Sequence, residues 1–315
     1  MVDKDIVDGT RKGPRSLGLT AVHNCRDVGA TINHYFGKKI MKEGLLFRSG
    51  RLDHATPADM EILTLKTQLT SILDLRTKTE RDRVPTKNPN QNPVATVSGA
   101  KIYHIPYLSD QYTKKALLSR LSWYRLIQVL FCHLIGLKTT VVRLISTLVI
   151  VPLGLKGIAY ECLRWLKPEI KETFTILSKE SSYPALIHCT QGKDRTGLVT
   201  LLVLLTILGE GDEEVKAMDH DYMLSNDGLK PVREEILAEM IPLGFSEESG
   251  FADAEEGWVE TVVGYIEEEG GIEKYLTNAQ ITAEEIRSIR ECLLVNPSSC
   301  VFRRLKIPGR ETPAS

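Results

Sequence analysis

A cysteine and an arginine six positions apart stand in the stretch of this chain whose residue types best suit covalent chemistry. Cys189 follows an apolar run at residues 185–187, and Arg195 precedes a second apolar run at residues 198–208. That order predicts a strand, a glycine-bearing loop and then a helix. The loop would then lie at a helix N-terminus, where free backbone N–H groups and the helix dipole favour a bound phosphate.

The residue types in this loop predict a nucleophile that faces a bound phosphate. The positive field of the helix end favours the thiolate form of Cys189, and a thiolate is a strong nucleophile. Gly192 lets the backbone curl around an anion without a Cβ in the way. The planar guanidinium of Arg195 can bind two phosphate oxygens and neutralise charge that develops in the transition state.

The ten residues 188–197, His-Cys-Thr-Gln-Gly-Lys-Asp-Arg-Thr-Gly, resemble the signature loop of the cysteine-dependent protein tyrosine phosphatases. The full string is similar to that of the atypical tyrosine phosphatase family of fungi and bacteria, whose members include mycobacterial and listerial enzymes acting on phosphoproteins and phosphoinositides. None of the other five cysteines has an arginine at the same offset.

This resemblance implies an α/β fold of the protein-tyrosine-phosphatase type. A central, mostly parallel sheet would be flanked by helices, with a helical insertion before the signature loop. The implied reaction is the hydrolysis of phosphate monoesters through a phosphocysteine intermediate, without a cofactor or a metal. The implied substrates are phosphotyrosine, and also phosphoserine or phosphothreonine, in proteins.

Two upstream segments carry further parts of the resemblance. Residues 24–29 resemble the N-terminal signature of the family, although Cys25 and Ala30 depart from its pattern. Arg48 ends a predicted strand, and the corresponding arginine of the family stands close to the active site. A structural ion pair is the alternative interpretation of Arg48.

A third segment places two charges after a short buried strand at residues 71–74. In the resembling family this Asp-Leu-Arg motif lies at the carboxyl edge of the sheet, where open α/β sheets bind their ligands. Asp74 and Arg76 would then face the substrate. The alternative is a structural pair that holds Glu80 and its neighbours.

The proton donor for the leaving group is the least determined part of the predicted site. A leaving alkoxide or phenoxide needs an acid within hydrogen-bond reach, yet residues 159–188 contain no aspartate. We expect Asp194 to serve, since the resemblance implicates this loop residue in catalysis. Asp74 or Asp110 is the second choice as reserve acid, that is, as proton donor in place of Asp194. The alternative for Asp194 is a carboxylate that braces the loop by pairing with Lys193 or an N–H group.

The predicted catalytic residues are therefore Cys189, Arg195 and Asp194. The predicted substrate contacts are the remaining loop residues and the upstream charges, namely Thr190, Gln191, Gly192, Lys193, Thr196, Gly197, Arg48, Asp74 and Arg76. Lys193 either favours substrates with several phosphates, such as inositol lipids, or serves only the thiolate. Thr196 is expected to donate a hydrogen bond to the departing thiolate. His188 is expected to orient the loop rather than to act as a base, because adjacent strand residues point to opposite faces.

Composition limits the function classes open to this chain. It has 315 residues and a formal net charge of -1, which argues against a nucleic-acid-binding protein that works by bulk charge. Residues 1–209 carry 30 basic and 17 acidic side chains, whereas residues 210–291 carry 6 and 23. The six cysteines show no paired short spacing, and the first twenty residues lack the apolar core of a signal peptide. These features predict a reducing, cytoplasmic location.

One decorated domain is the expected organisation at this length. We expect a phosphatase domain over residues 19–300, between a disordered segment at 1–18 and a flexible tail at 301–315. Residues 84–99 are rich in Pro, Asn and Thr and predict a solvated loop.

The segment from residue 112 to residue 165 is the least typical of a compact phosphatase. It carries two apolar stretches, at residues 126–137 and 144–155, and neither reaches the roughly 18–20 consecutive apolar residues of a spanning helix. We expect an amphipathic helical insertion that either covers the active site or makes peripheral membrane contact through residues 126–155. In some members of the resembling family a helical lid occupies this position.

Three functions stay open at this point. The first is a phosphatase whose partner is a phosphoprotein substrate, and the second is a phosphoinositide phosphatase that uses the same loop. The third is a phosphate-binding adaptor without turnover. The intact Cys189, Arg195 and Thr196 argue against an adaptor.

Overall fold

The computed structural model describes residues 17–82 and 99–297, together with the backbone of residues 6–7 and 10–11. Twelve of the eighteen residues of the predicted disordered segment at 1–18, and all but residue 99 of the predicted loop at 84–99, lie outside the described residues. The predicted tail at 301–315 lies outside them entirely.

A five-stranded sheet forms the centre of the molecule, and two short antiparallel strands lie outside it, β1 (Ile6–Val7) and β2 (Thr10–Arg11). The strands of the central sheet are β3 (Arg26–Asp27), β4 (Leu46–Ser49), β5 (Ser71–Asp74), β6 (Lys101–His104) and β7 (Ala185–His188). Their order across the sheet is β3-β4-β7-β5-β6, and β3 alone of these five runs antiparallel to its neighbour. The predicted α/β fold with a mostly parallel sheet is confirmed.

Helices flank this sheet along the described part of the chain. They are α1 (Val28–Phe36), α2 (Pro57–Leu65), α3 (Lys78–Asp82), α4 (Asp110–Tyr112), α5 (Trp123–Leu134), α6 (Lys138–Ile145), α7 (Val151–Trp165), α8 (Lys167–Leu177), α9 (Asp194–Leu208), α10 (Asp212–Leu229), α11 (Arg233–Met240), α12 (Trp258–Glu268), α13 (Ile272–Asn278) and α14 (Ala283–Leu293).

The register of the sheet brings the ends of its three middle strands to one edge. His188 of β7 lies opposite Ser49 of β4 on one side and opposite Asp74 of β5 on the other. Residues that follow these strands are therefore neighbours in space, although they are far apart in the sequence. This edge is where open parallel sheets bind ligands.

Helix α9 starts at this edge and runs through the core. All its residues from position 196 to position 207 are buried, as expected for a helix that is apolar on every side. It packs against the sheet, α7, α10, α13 and α14. A helix held on all sides gives the loop at its N-terminus a rigid base.

Local capping signals set the starts of two other helices. Thr56 and Asp59 form a capping box at the start of α2, where Pro57 is the first helical residue. Thr282 and Glu285 form the equivalent box at the start of α14. A capping box depends only on residues three positions apart, so its pattern is visible in the sequence.

The segment between residues 112 and 165 is helical and comprises α5, α6 and α7, with π-helical turns at Thr113–Leu117 and Ser146–Ile150. Among the described residues, one helical stretch, Lys138–Trp165, is long and apolar enough to cross a membrane by length and composition. The backbone of Gly154, with φ 66° and ψ 177°, interrupts that stretch. A lid and a membrane-surface element both remain predictions for this segment.

Candidate active site

Cys189 lies directly after β7, at the base of a loop that leads into α9. It is 3% exposed, and the backbone N–H of Gly192 donates a hydrogen bond to its Sγ at 3.3 Å. Helix α9 begins at Asp194. The strand, loop and helix predicted around Cys189 are therefore confirmed.

The carbonyl groups of the loop are bound by donors on its outer side. The side-chain amide of Asn24 donates to the carbonyl oxygens of Gln191 at 3.1 Å and Gly192 at 3.0 Å. The N–H of Arg51 donates to the carbonyl of Thr190 at 3.0 Å. In a trans peptide the N–H points away from the preceding carbonyl. Outward carbonyls therefore turn the following amides inward, and the bond from Gly192 to the cysteine sulfur follows this direction.

Arg48 supports the same loop from behind instead of facing a substrate. Its guanidinium is buried, forms an ion pair with Asp221 and donates to the carbonyls of Gly192 at 2.9 Å and Lys193 at 3.4 Å. These acceptors occupy both Nη atoms. The structure therefore corrects the predicted substrate contact of Arg48 and matches the alternative, a structural ion pair.

Asp221 is the acidic centre of this support, and the sequence had not singled it out. Its carboxylate pairs with Arg26 at 2.8 Å and also with Arg48. Burial would raise the pKa of Asp221, but the two guanidinium groups hold it below its ordinary value. Helix α10 continues to Leu229 and carries Asp221 beneath the loop at 188–197.

Asp74 and Arg76 form a buried pair next to the sheet edge. Arg76 binds Asp74 at 2.9 Å and also pairs with Asp53, and Asp74 lies 3.9 Å from Nε2 of His188. Burial would raise the pKa of Asp74, but hydrogen bonds from Arg76 and the nearby His188 lower it to about 2. A carboxyl group with that pKa is ionised at neutral pH and cannot donate a proton, so the structure corrects the choice of Asp74 as reserve acid.

The substrate contacts predicted for the same two residues are also corrected. Both side chains are buried, and each nitrogen of the Arg76 guanidinium is bound by Asp74 or Asp53. The alternative of a structural pair agrees with this geometry. Its further partner, however, is Asp53 and not Glu80.

Glu80 instead binds Arg195, the predicted catalytic arginine. Its Oε2 lies 2.8 Å from Nη1 of Arg195 and its Oε1 lies 2.5 Å from Nη2, a bidentate pair. The hydroxyl of Thr190 also donates to Oε1 at 3.2 Å. Burial would raise the pKa of Glu80, but the charge and hydrogen bonds of Arg195 lower it to about 2. Glu80 is therefore ionised at neutral pH and holds the arginine in one orientation.

This pairing leaves part of the Arg195 guanidinium available to a ligand. An arginine has five N–H donors. Glu80 accepts two of them, and the carbonyl of Leu75 accepts a third from Nη1 at 3.4 Å. Nε and the second hydrogen of Nη2 remain, and these two parallel donors match two oxygens of a phosphate. The side chain is 15% exposed, as a group at the mouth of a binding site should be.

Lys193 lies on the far side of the loop. Its ammonium is buried and donates to the carbonyls of Phe251 at 2.8 Å and Asp253 at 2.6 Å. It therefore holds the 251–253 segment against the loop, which corrects the predicted contact between its side chain and a substrate phosphate. Sequence reasoning could not find these acceptors, because backbone carbonyls have no residue signature.

Asp194 and Thr196 carry polar atoms without a hydrogen-bond partner among the described residues. Oδ1 of Asp194 lies 3.7 Å from the Lys193 ammonium but accepts no hydrogen bond, and 33% of its side chain is exposed. The hydroxyl of Thr196 is fully buried and also lacks a described partner. Both residues lie in the first turn of α9. The ion pair of Asp194 with Lys193 agrees with the alternative of a carboxylate that braces the loop, and the role of Asp194 as proton donor stays a prediction.

The remaining predicted residues occupy the loop and its surroundings. The side-chain amide of Gln191 contacts Sδ of Met240 at 3.6 Å. Gly197 packs beneath the ring of Tyr222. Asp110, the other reserve acid, is exposed at the start of α4 and makes no hydrogen bond with the described loop.

A comparison with known protein families agrees with this geometry. The sequence profile of the tyrosine phosphatase family matches residues 17–295. The chain belongs to the tyrosine phosphatase family. It is also similar to a protein of Cupriavidus necator that is named as a tyrosine-protein phosphatase, with 26% identity over 238 residues, which cover 74% of this chain and 71% of that protein. The resemblance stated from residues 188–197 is confirmed at the level of this family, and the chain is a phosphatase.

The loop of this tyrosine phosphatase family member requires glycine at position 192. Gly192 has φ +70°, and a Cβ there would lie 2.2 Å from the carbonyl oxygen of Ser49. Gly37 has a similar φ of +64° at the end of α1, but a Cβ there would meet no atom within 4 Å. Alanine at position 37 would therefore add backbone strain alone, whereas alanine at position 192 would add both backbone strain and a steric clash.

We expect Gly192→Ala to lower the free energy of unfolding by at least about 2 kcal/mol, since it adds a clash with the β4 backbone to the strain of a left-handed residue. Gly37→Ala should cost about 1–2 kcal/mol, from backbone strain alone. Urea unfolding of both variants measures the difference. Equal costs for the two substitutions would contradict the packing described for Gly192.

Proposed function

We propose that this phosphatase hydrolyses phosphotyrosine in proteins through a covalent phosphocysteine at Cys189. The observation that carries the proposal is the pairing of Arg195 with Glu80. This pair presents two free N–H donors beside a loop whose amides turn toward the cysteine sulfur. A phosphate held by these donors would face the thiolate directly, in the geometry that nucleophilic catalysis requires.

The first step transfers the phosphoryl group to the enzyme. The Cys189 thiolate attacks phosphorus, so an S–P bond forms while the ester P–O bond breaks. Arg195 and the loop amides bind the other phosphoryl oxygens and stabilise the charge of the transition state. Asp194 donates its proton to the departing oxygen.

The second step releases phosphate. A water molecule attacks phosphorus, and the Asp194 carboxylate accepts its proton. The S–P bond breaks, and Cys189 leaves as a thiolate again. The hydroxyl of Thr196, which is buried and without a described partner, would donate a hydrogen bond to that thiolate and stabilise it as a leaving group.

Trapping the intermediate tests this mechanism. The protein is mixed with para-nitrophenyl phosphate, quenched in acid within one turnover, digested and analysed by mass spectrometry. We expect the peptide that contains Cys189 to gain the mass of one phosphoryl group. Cys189→Ser protein is the control and should gain none. Rapid turnover with no adduct on any peptide would contradict the proposed intermediate.

A second substrate class is compared directly, because the insertion between residues 112 and 165 exposes large apolar side chains at 123–137 and carries an excess of basic residues. These properties suit a phosphoinositide phosphatase. Phosphate release from a phosphotyrosyl peptide and from phosphatidylinositol phosphates in detergent micelles would be measured side by side. A higher kcat/KM for the peptide supports the proposed substrate, and a higher value for the lipids would overturn it in favour of the alternative.

The role of Asp194 predicts a dependence on the leaving group. We expect Asp194→Asn to lower kcat/KM, which reports the first step alone, about 10²-fold or more with phenyl phosphate, since phenoxide needs a proton as it leaves. With a dinitrophenyl ester, whose leaving group needs no proton, the loss should be within about tenfold. Asp110→Asn serves as the matched control and should change neither rate. Equal losses of Asp194→Asn on both esters would instead indicate that Asp194 only braces the loop.

A further inference from the structure

Helix α5 and the turn after it expose an unusual amount of apolar surface. The described residues contain fourteen large apolar side chains that are markedly exposed, and nine of these lie between positions 123 and 137. The other five are spread over the rest of the chain. Single exposed apolar residues need no explanation, but a contiguous patch marks an interaction surface.

The exposed side chains form one face of the helix. Trp123, Ile127, Leu130 and Leu134 recur at helical spacing and are 76%, 57%, 55% and 75% exposed. Val129 and Cys132, on the opposite side, are buried against the rest of the molecule. Both the outward and the inward faces of α5 therefore carry apolar side chains. A helix whose outer face meets only water normally carries polar side chains there.

The charges in the sequence segment that carries this face have one sign. Residues 111–160 contain seven lysines and arginines and no aspartate or glutamate, although the whole chain has a net charge of -1. Lys114, Lys138 and Arg143 are exposed and form no ion pair within the described part of the chain. An apolar face on a segment whose own charges are all cationic is complementary to a surface that offers both apolar chains and negative charge, and an anionic bilayer offers both.

The dimensions favour a helix that lies on a bilayer over one that crosses it. Twelve residues of α5 span about 18 Å at 1.5 Å per residue, whereas the hydrocarbon core is about 30 Å thick. The longer apolar stretch that follows, Lys138–Trp165, is broken at Gly154. Lys138 begins that stretch and Arg143 follows five positions later. The long side chains of lysine and arginine can place their charges at the level of the lipid headgroups.

The insertion and the loop at 188–197 contact the same short segment of chain. Gly244 lies against Arg143 and Thr147, which belong to the helical stretch after α5, and four residues earlier Met240 contacts Gln191 of the loop. Ile241, between them, is 57% exposed. The segment at 240–244 therefore links the insertion to the loop.

We propose that α5 docks the protein on the surface of anionic membranes, with its outward apolar face at the boundary between headgroups and acyl chains and with Lys138 and Arg143 on the lipid phosphates. This docking is independent of the catalytic proposal, since it requires neither Cys189 nor turnover. It defines where the enzyme works and not which bond it breaks.

Co-sedimentation of the full chain with lipid vesicles tests the docking. We expect the wild type to bind vesicles of phosphatidylcholine with phosphatidylserine at least tenfold more tightly than vesicles of phosphatidylcholine alone, and added salt should weaken the binding. Phe131→Asp/Leu134→Asp should lose more than tenfold in partition, because each large apolar side chain contributes about tenfold or more when it is buried. Lys138→Glu/Arg143→Glu should lose at least tenfold on the anionic vesicles alone.

Matched controls come from exposed residues elsewhere on the molecule. Leu65→Asp, on a side chain of α2 that is 64% exposed, and Lys39→Glu should bind as the wild type does. Retained hydrolysis of para-nitrophenyl phosphate shows that each variant is folded. Absence of wild-type binding to either vesicle would overturn the proposal, as would equal losses in the controls. A wild type that is dimeric in gel filtration, with Phe131→Asp/Leu134→Asp monomeric and lipid binding absent, would instead assign the face to a second copy of the chain.

Discussion

Cys189→Ser is expected to lower kcat on para-nitrophenyl phosphate by at least about 10⁴-fold, since a serine hydroxyl has the right size but stays protonated where a thiolate is needed. The substitution exchanges one atom at a site that is 3% exposed. The Gly192 amide that donates to the sulfur can donate to an oxygen as well. We therefore expect the fold and phosphate binding to persist while turnover is lost.

Steady-state kinetics without metal and with a thiol reductant measures this loss, and thermal unfolding in the presence of inorganic phosphate measures binding. Cys292→Ser, at a half-buried cysteine of α14, is the control for loss of a thiol. Its kcat should match that of the wild type. Activity of Cys189→Ser within tenfold of the wild type would remove the proposed nucleophile, and loss of phosphate binding as well would point to a damaged loop.

Arg195→Lys is expected to lower kcat/KM by about 10³-fold, although it keeps the positive charge. Lysine has a single ammonium group. It cannot hold both carboxylate oxygens of Glu80 and still present two parallel donors to phosphate. The free N–H pair that the guanidinium offers in this structure has no equivalent in lysine.

Two further variants show whether geometry or charge causes that loss. Glu80→Gln keeps the guanidinium of Arg195 but removes the negative charge that orients it. We therefore expect a smaller loss of about tenfold to 10²-fold, expressed in kcat more than in KM because the arginine is less well aligned. Arg287→Lys, on an exposed arginine of α14, should be neutral. If Arg195→Lys retained activity within tenfold, simple charge neutralisation would suffice and the bidentate role would be refuted.

The local sequence pattern was enough to predict the features that depend on residues close together in the chain. The loop at 188–197, the strand before it and the helix after it follow from composition and spacing over about 25 residues of sequence. The capping boxes at Thr56 and Thr282 involve neighbours three positions apart. The mostly parallel sheet and the family itself came from motif resemblance, and the sheet topology and the family profile confirm both.

The partners of the buried charges, in contrast, could not be predicted from the sequence. Arg195 was correctly placed in the loop, yet its partner Glu80 is 115 residues away. Arg48 was assigned to the substrate, but Asp221, 173 residues away, holds it behind the loop. The sequence contains many other aspartates and glutamates that could have paired with either arginine. The choice depends on the register that aligns β4, β7 and β5 and on the length of α10.

The sequence also could not predict the direction in which a side chain of the loop points. Lys193 stands in the loop, and its position suggested a phosphate contact, but its ammonium binds two carbonyls of the 251–253 segment. Those acceptors exist only once that segment packs against the loop. The sequence by itself determined the loop that holds Cys189 and Arg195 and the family to which it belongs, because the residue types and spacing that define them are local. The tertiary structure decided which of the predicted residues can face a phosphate, because buried charges turn toward whichever acceptors the fold brings within reach.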